Sequence, residues 1–451
     1  MKRRIAIQKM MFAMPALMGI PSVFTSCNDT LPDNKAKIIV VGAGAAGIYA
    51  AHLLIQQGFD VIVLESSNQI GGRIKALTGF ADFPIELGAE EVHGENSVFY
   101  EILQNQNTAF VDTDSEDYYF LDGTLSAESA LSNDNDLQAA FDLIDNIINF
   151  TGNDMTVQAF IEQQNIPHRV VHVLNAQIGN EYGTSNDQIG MQGLAEAEEL
   201  WTAGNQNFLL QNKSILQVLI QECNQTPFLI KTNTWVTQID YSGEKVGLID
   251  SLGQTYQADR VLITVPISIL RDGDITFSPS LPVQKVEAFH KIGMNTGMKI
   301  ILKFSERFWA ADTGSIYGSG LIPEFWSTGL GRSLQNNILT GFVHGQNAET
   351  LQFNDPVSTA LAELDAIYGQ GVASSKIVNS FVMNWGNQFA IRGTYSYPKP
   401  NSAGARDVIA APLQNKLFFA GEATHTGGHF GTVHGALETA QRAVQEILDS
   451  F

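Results

Sequence analysis

An α/β (α+β) fold is predicted by three features of this 451-residue chain. A β-branched run, Lys37-Ile-Ile-Val-Val41, leads into a glycine-rich turn, a helical stretch and a second apolar run, Val61-Ile-Val-Leu64. Runs of this kind suit strands buried on both faces of a sheet covered by helices. Far downstream, Val261-Leu-Ile-Thr-Val265 and Leu417-Phe-Phe419 repeat the buried-strand pattern. Length and composition agree. About 100–200 residues per domain implies two or three lobes, and 44% hydrophobic residues with a mean hydropathy of −0.01 fit a soluble globular protein.

The N-terminus is set apart from that fold. Lys2, Arg3 and Arg4 precede a mostly apolar stretch to Phe24, and Thr25-Ser26-Cys27 follows. This is the layout of an export signal. Gln8, Lys9, Pro15 and Pro21 make it a poor spanning helix. Residues 1–26 therefore read as a signal peptide of lipoprotein type, with Arg3-Arg4 loosely resembling a twin-arginine signal. A lipid anchor at Cys27 is the one membrane contact expected, on an exported bacterial protein, periplasmic or membrane-anchored. Lipidation leaves Cys223 alone; a Cys27–Cys223 bridge is the alternative.

Charge narrows the partners. The chain carries 26 Lys+Arg against 47 Asp+Glu, a net charge of −21. Removing residues 1–26 takes away four basic and no acidic residues, which moves the charge to −25. That excess argues against nucleic acid, whose phosphates are bound by clustered Lys and Arg. It suits a small cationic molecule steered to a cleft.

The first motif is Gly42-Ala-Gly44-Ala-Ala46-Gly47, between the two N-terminal strands and opening the helix predicted over Ile48–Gln57. In that context it is a Rossmann-like dinucleotide-binding fingerprint. Gly42 permits the turn, Gly44 lets backbone approach a pyrophosphate, and Gly47 lets helix pack on strand. The helix start, with Ala46, offers free N–H groups to phosphates. Glu65, 18 residues past Gly47, would accept ribose hydroxyls and repel a 2′-phosphate.

Gly71-Gly72-Arg73 and Ile85-Glu-Leu-Gly88-Ala89-Glu90-Glu91-Val-His93-Gly94 follow. Here the chain resembles the flavin-containing amine oxidase superfamily, in its polyamine oxidase and histone-demethylase-like branch. The resemblance implies noncovalent FAD as cofactor and O2 as the acceptor. Gly71, Gly72 and Arg73 would meet the phosphates, and Gly88, Ala89 and Glu90 the flavin side. Glu91, with Glu90, would face a distant substrate ammonium. His93 matches a position near the substrate amine and is a catalytic candidate, although a lone His is more often structural. The family's Arg near the adenosine is missing from Glu65-Ser-Ser-Asn-Gln69.

Three later stretches repeat the resemblance. Thr234–Ile239 alternates as a strand opening a meander, with Val236 matching an adenine contact. Ile292-Gly293 through Phe304 contains Lys299, which matches the lysine holding a water against flavin N5. In Lys299-Ile-Ile-Leu-Lys303 both lysines point to one face of a strand. Lys416–Ala440 matches the C-terminal FAD signature, with Gly421 and Glu422 on the ribityl or ribose region. Thr432 and Val433 start a helix at the pyrimidine end of the flavin. His425, His429 and His434 lack a helix-face or finger spacing, so no metal is expected.

Trp385 and Gly393-Thr394-Tyr395-Ser396-Tyr397 match the segment beside the substrate, making Trp385 and Tyr395 substrate-binding candidates. Tyr395 is either an aromatic wall for an amine or a packed tyrosine with its hydroxyl bonded. The customary Asp-Pro after the Trp is here Gln388-Phe389. Where relatives attach FAD through Cys stands Thr394.

These pieces make the FAD domain discontinuous, over residues 36–98, 222–282 and 386–451. The inserted substrate domain, mixed sheet plus helices, takes 99–221 and 283–385. It includes a hairpin turning at Asp122-Gly123 and helices within Leu137–Asn149 and Met155–Gln164. The function implied is FAD-dependent oxidation of a polyamine-like amine to an imine, with H2O2 released. The rivals are an L-amino-acid oxidase, for which Arg169 or Arg392 would bind the carboxylate, and a non-catalytic or electron-transfer flavoprotein.

Overall fold

The computed structural model describes residues 36–451, apart from 112–114, 225, 227 and 333–335. The stretch expected to be an export signal and Cys27 lie outside the described residues.

A five-stranded parallel sheet draws on three stretches of chain. Its order is Leu417–Phe419, Arg260–Ile263, Lys37–Val41, Asp60–Leu64, Leu229–Lys231. Ile38, Ile39 and Val40 are fully buried, as the β-branched run requires. Helices Ala45–Gln56 and Val433–Leu448 cover one face, where Ala46, Ala50 and Leu54 share a core with Ala440 and Ala443. The opposite face packs Ile39, Val41 and Phe419 on Ile239 and Leu248 of a meander, Val236–Asp240, Val246–Asp250 and Thr255–Ala258. Leu229–Lys231 and the strand Thr276–Ser278 beside the meander were too short to show a pattern in sequence.

The inserted part is built on a seven-stranded sheet. Its order is Ile377–Asn384, Gly297–Phe304, Ile338–His344, Glu324–Ser327, Thr313–Tyr317, Glu116–Leu121, Thr124–Ala127. The last two strands form the expected hairpin, with positive φ at both Asp122 and Gly123. Within Gly297–Phe304, alternate residues divide between two cores. Met298, Ile300 and Leu302 pack with Phe325 and Leu364 on one side. Ile301, on the other, packs with Phe83, Ile85 and Leu87. That second contact lays the segment 80–93 across the lysine-bearing face of the strand. Lys303 Nζ accordingly donates to Phe80 O at 2.9 Å.

Lys285 fastens the two parts of the chain far from this face. It is 2% exposed and donates to the carbonyls of Val408, Ile409 and Ala411 at 2.7–2.8 Å, closing the C-terminal end of helix Ala405–Ala410. Its ammonium also lies 4.0 Å from the Phe419 ring centroid. Lys285→Met keeps the stem but strips three carbonyls of their donor. We expect a loss of about 3 kcal/mol, read as a lower urea midpoint at unchanged m-value.

Candidate active site

A cavity of about 590 Å³ runs from the glycine-rich turn to the seven-stranded sheet. Every sequence-predicted cofactor residue except Gly47 borders it. Gly47 sits beneath the turn, where a Cβ would come within 2.0 Å of Gly42 O. Gly44 N-caps helix Ala45–Gln56 with no side-chain cap, and a Cβ there would meet nothing within 4 Å. Glu65 is held ready: Ala43 N–H donates to Oε2 at 2.7 Å and Ser67 N–H to Oε1 at 2.8 Å.

Buried Glu422 ties the C-terminal signature to the second glycine motif. Arg73 Nη1 (2.8 Å), Ser396 Oγ (2.7 Å) and Gly431 N (2.8 Å) all donate to its carboxylate. Burial opposes its charge, but Arg73, Ser396 and Arg406 together more than offset this and hold its pKa below the ordinary value. Thr432 caps the last helix, its Oγ1 accepting from Gly435 N–H at 3.0 Å.

At the other end stands Lys299, 3% exposed. Its Nζ donates to Glu90 Oε2 at 2.6 Å and Glu86 O at 3.1 Å, and lies 5.0 Å from the Trp326 ring centroid. Glu90, expected on the cofactor, borders the cavity with its carboxylate ion-paired to Lys299. Trp385, expected at the substrate, also borders the cavity; its buried indole donates to Leu87 O at 2.8 Å and backs Gly88. Tyr395 donates its hydroxyl to Glu181 O at 2.6 Å, leaving its ring on the cavity wall. His93 borders the cavity with Nδ1 3.1 Å from Asn207 Oδ1 and 3.8 Å from Glu91.

Sheet register adds residues that sequence reasoning missed. Phe342 pairs with Lys299 on one side and with Glu324 on the other. Paired residues share a face, so Lys299, Phe342 and Glu324 stand in a row, with His344 and Trp326 two residues along their strands. With Glu181 they complete the chamber. Alternation in Glu324-Phe-Trp326 was the signal that would have found two of them. Burial, reinforced by Lys299, pushes the His344 pKa down to about 3, so its ring is neutral. Burial raises Glu91 to about 7, with Glu181 and Glu90 adding repulsion.

A family model described as flavin containing amine oxidoreductase matches residues 45–199 and 215–448. The chain belongs to this family. Polyamine oxidase 3 of Oryza sativa subsp. japonica is 28% identical over 450 residues, covering 92% of this chain and 90% of its own length. Polyamine oxidase 2 of Arabidopsis thaliana is 27% identical, covering 93% and 90%. The human lysine-specific histone demethylase 2 is 27% identical over 92% of this chain but 53% of its own length. Among solved structures, putrescine oxidase bound to putrescine superposes with a TM-score of 0.77 at 18% identity, covering 92% of this chain and 99% of that one. Cyclohexylamine oxidase from Brevibacterium oxydans IH-35A gives the same TM-score, identity and coverage. These likenesses share the Rossmann-like fold.

This flavin amine oxidoreductase uses FAD, and its own residues fit that cofactor. An uncapped helix N-terminus faces open space at Gly44, and a pre-bonded carboxylate stands at the end of the second strand. Arg73 and Glu422 adjoin the channel farther along.

Two other expectations are decided by partners. Arg169 is bonded to Asp122, Asp134 and Asp136, and Arg392 to Asp274 with Asp272 close by; neither borders the cavity. His425, His429 and Glu438 do converge, their ligand atoms within 4.8 Å, which spacing in sequence did not suggest. The hydrogen bonds assign them another role. His425 Nδ1 accepts the N–H groups of Gly427 and His429, and His429 Nε2 accepts that of Thr202. Each ring therefore carries its proton on the other nitrogen and donates it to Glu438 Oε2 at 2.7 Å. A metal-bound imidazole keeps a proton on its second nitrogen to donate outward, which these backbone donors forbid. The trio pins the glycine-rich loop to the last helix, and the two rings hold Glu438 at a pKa of about 2 although burial opposes its charge.

Proposed function

We propose that this chain oxidises a C–N bond of a primary or secondary, polyamine-like amine to an imine, which water hydrolyses, while O2 is reduced to H2O2. One observation carries the reading: the buried Lys299–Glu90 pair adjoins a chamber holding Glu91, Glu181 and Glu324 between the rings of Trp326, Phe342 and Tyr395. Noncovalently bound FAD supplies the two-electron acceptor. The carboxylates hold the substrate's distal ammonium and so set its reach. The aromatic rings favour a cation and exclude water. Lys299 holds a proton and a water at Nζ, and His93 takes the proton of the reacting ammonium. Residues 36–98, 222–282 and 386–451 hold the cofactor, and 99–221 and 283–385 the amine. The polyamine oxidases among its relatives support this substrate class. An L-amino acid finds no partner in Arg169 or Arg392, both tied elsewhere.

The test is anaerobic flavin bleaching by putrescine, spermidine, cyclohexylamine and L-amino acids. Bleaching by the di- and polyamines, followed by H2O2 on readmission of air, is the expected result. A flavin that no amine bleaches sinks the reading. Denaturation is expected to release all the flavin into the supernatant, since Thr394 offers no thiol for attachment. Glu324→Gln should raise KM for putrescine and spermidine about tenfold, the loss of one charge-assisted contact, and leave KM for cyclohexylamine unchanged. Glu91 is neutral below about pH 7 and charged above it. KM for the diamines therefore falls as pH rises through that value, and Glu91→Gln flattens the profile.

A further inference from the structure

Trp235 and Phe389 form a tilted pair of rings with centroids 4.5 Å apart, and both border the cofactor channel. Phe389 is 74% exposed. Backbone contacts fix where along the channel this pair lies. Thr234 N–H donates to Glu65 O at 2.8 Å and Asn233 N–H to Ser67 O at 2.9 Å. The stretch carrying Trp235 is thereby laid against the end of strand Asp60–Leu64, beside the carboxylate that receives a ribose. Phe389 arrives from the other direction on a tight loop, with Ile391 N–H donating to Gln388 O at 2.9 Å and the buried Trp385 indole anchoring its start. The flanking side chains of Ser66, Ser67, Asn68 and Gln69 are uncharged. A large ring left in water on top of another ring gains most from being covered by a flat aromatic group.

We propose that Trp235 and Phe389 form an aromatic platform on which the adenine of FAD stacks. It takes the place of a charged contact at this end of the channel. The two departures noted in the sequence, the uncharged Ser66–Gln69 stretch and Gln388-Phe389, are brought to the same spot by the fold. The proposal rests on FAD as cofactor and concerns its adenosine half alone, so it is separable from the choice of amine.

The test is FAD release from the holoprotein, followed by recovery of flavin fluorescence on dilution. Phe389→Ala is expected to raise the dissociation constant for FAD about tenfold, the effect of removing one stacking ring. Phe389→Tyr is expected to behave as wild type, and the loaded Phe389→Ala protein to keep its melting temperature apart from the shift due to lost FAD. ADP, which carries the adenosine but no flavin, should displace FAD from wild type and require about tenfold higher concentration to occupy Phe389→Ala. Unchanged FAD release in Phe389→Ala overturns the platform. So does ADP that fails to displace FAD from wild type, or that binds both proteins equally.

Discussion

Lys299→Met is expected to lower amine turnover at least about 100-fold, the lower end of what a positioned acid–base group contributes, with FAD still bound. The substitution is nearly isosteric and keeps the apolar stem of a side chain that is 3% exposed in the sheet. What it removes is the ammonium, and with it the partner of Glu90 at 2.6 Å. Glu90 has some solvent access, so the unpaired carboxylate hydrates without unfolding the site. Stopped-flow measurement separates the two halves of turnover: reduction by amine under argon, then reoxidation on mixing with oxygen. Glu90→Gln keeps the lysine but takes away its counter-charge. It is expected to shift the pH profile of the slow step while costing less rate than Lys299→Met. A purely structural pair would instead lower melting temperature in both variants and leave the pH profile in place. Wild-type rates in Lys299→Met would remove this residue from the reaction.

How far such residues were legible depended on whether local pattern or long-range register decides their place. The Gly42–Gly47 turn, Glu65 and the C-terminal loop are local: a strand, a turn and a helix start specify them within twenty residues or so. Lys299 and Lys303 share a face because strand period is two, and both do reach the segment 80–90. The amine chamber is different. Glu324 and His344 meet Lys299 through Phe342 only because three strands pair in one register, and pairing across that distance in sequence leaves no trace in either strand. Glu181, brought in beside them by a helical segment, is invisible for the same reason. The residue-by-residue resemblance left a related gap. Glu90 and Trp385 lie at the expected positions, but their polar atoms are satisfied by Lys299 and Leu87, groups contributed by remote parts of the chain. The His425–His429–Glu438 trio shows the converse. Sequence spacing hid its convergence, and only the donors on the far ring nitrogens reveal what the convergence is for.

Glu422→Ala should damage the protein more than any other single change at the site. This carboxylate is 5% exposed and is the common acceptor for Arg73, Ser396 and Gly431, which come from three distant segments bordering the channel. Arg406 reaches the same cluster through Ser396 Oγ at 2.9 Å, while its guanidinium lies 3.9 Å from the Phe430 ring centroid. Truncation leaves a buried positive cluster without its counter-charge, a change that typically costs about 3–5 kcal/mol. The expected outcome is a protein that folds poorly or elutes without flavin. Glu422→Gln keeps shape and one acceptor oxygen, so it should fold, with weakened FAD retention measurable by fluorescence on dilution. The charge also sets a pH limit. Because folding depresses this carboxyl's pKa, its stabilisation is complete above the unfolded value of about 4.5 and is lost as pH falls through the folded value. Glu438, held at about 2, adds a loss over the same acid range. Together they predict flavin release as pH drops below about 4.5, at a higher pH in Glu438→Gln, where one of the two ties between the C-terminal loop and the channel has already gone. Release in wild type that stays independent of pH down through about 2, where Glu438 takes up its proton, would show that Glu438 does not hold the cofactor end together.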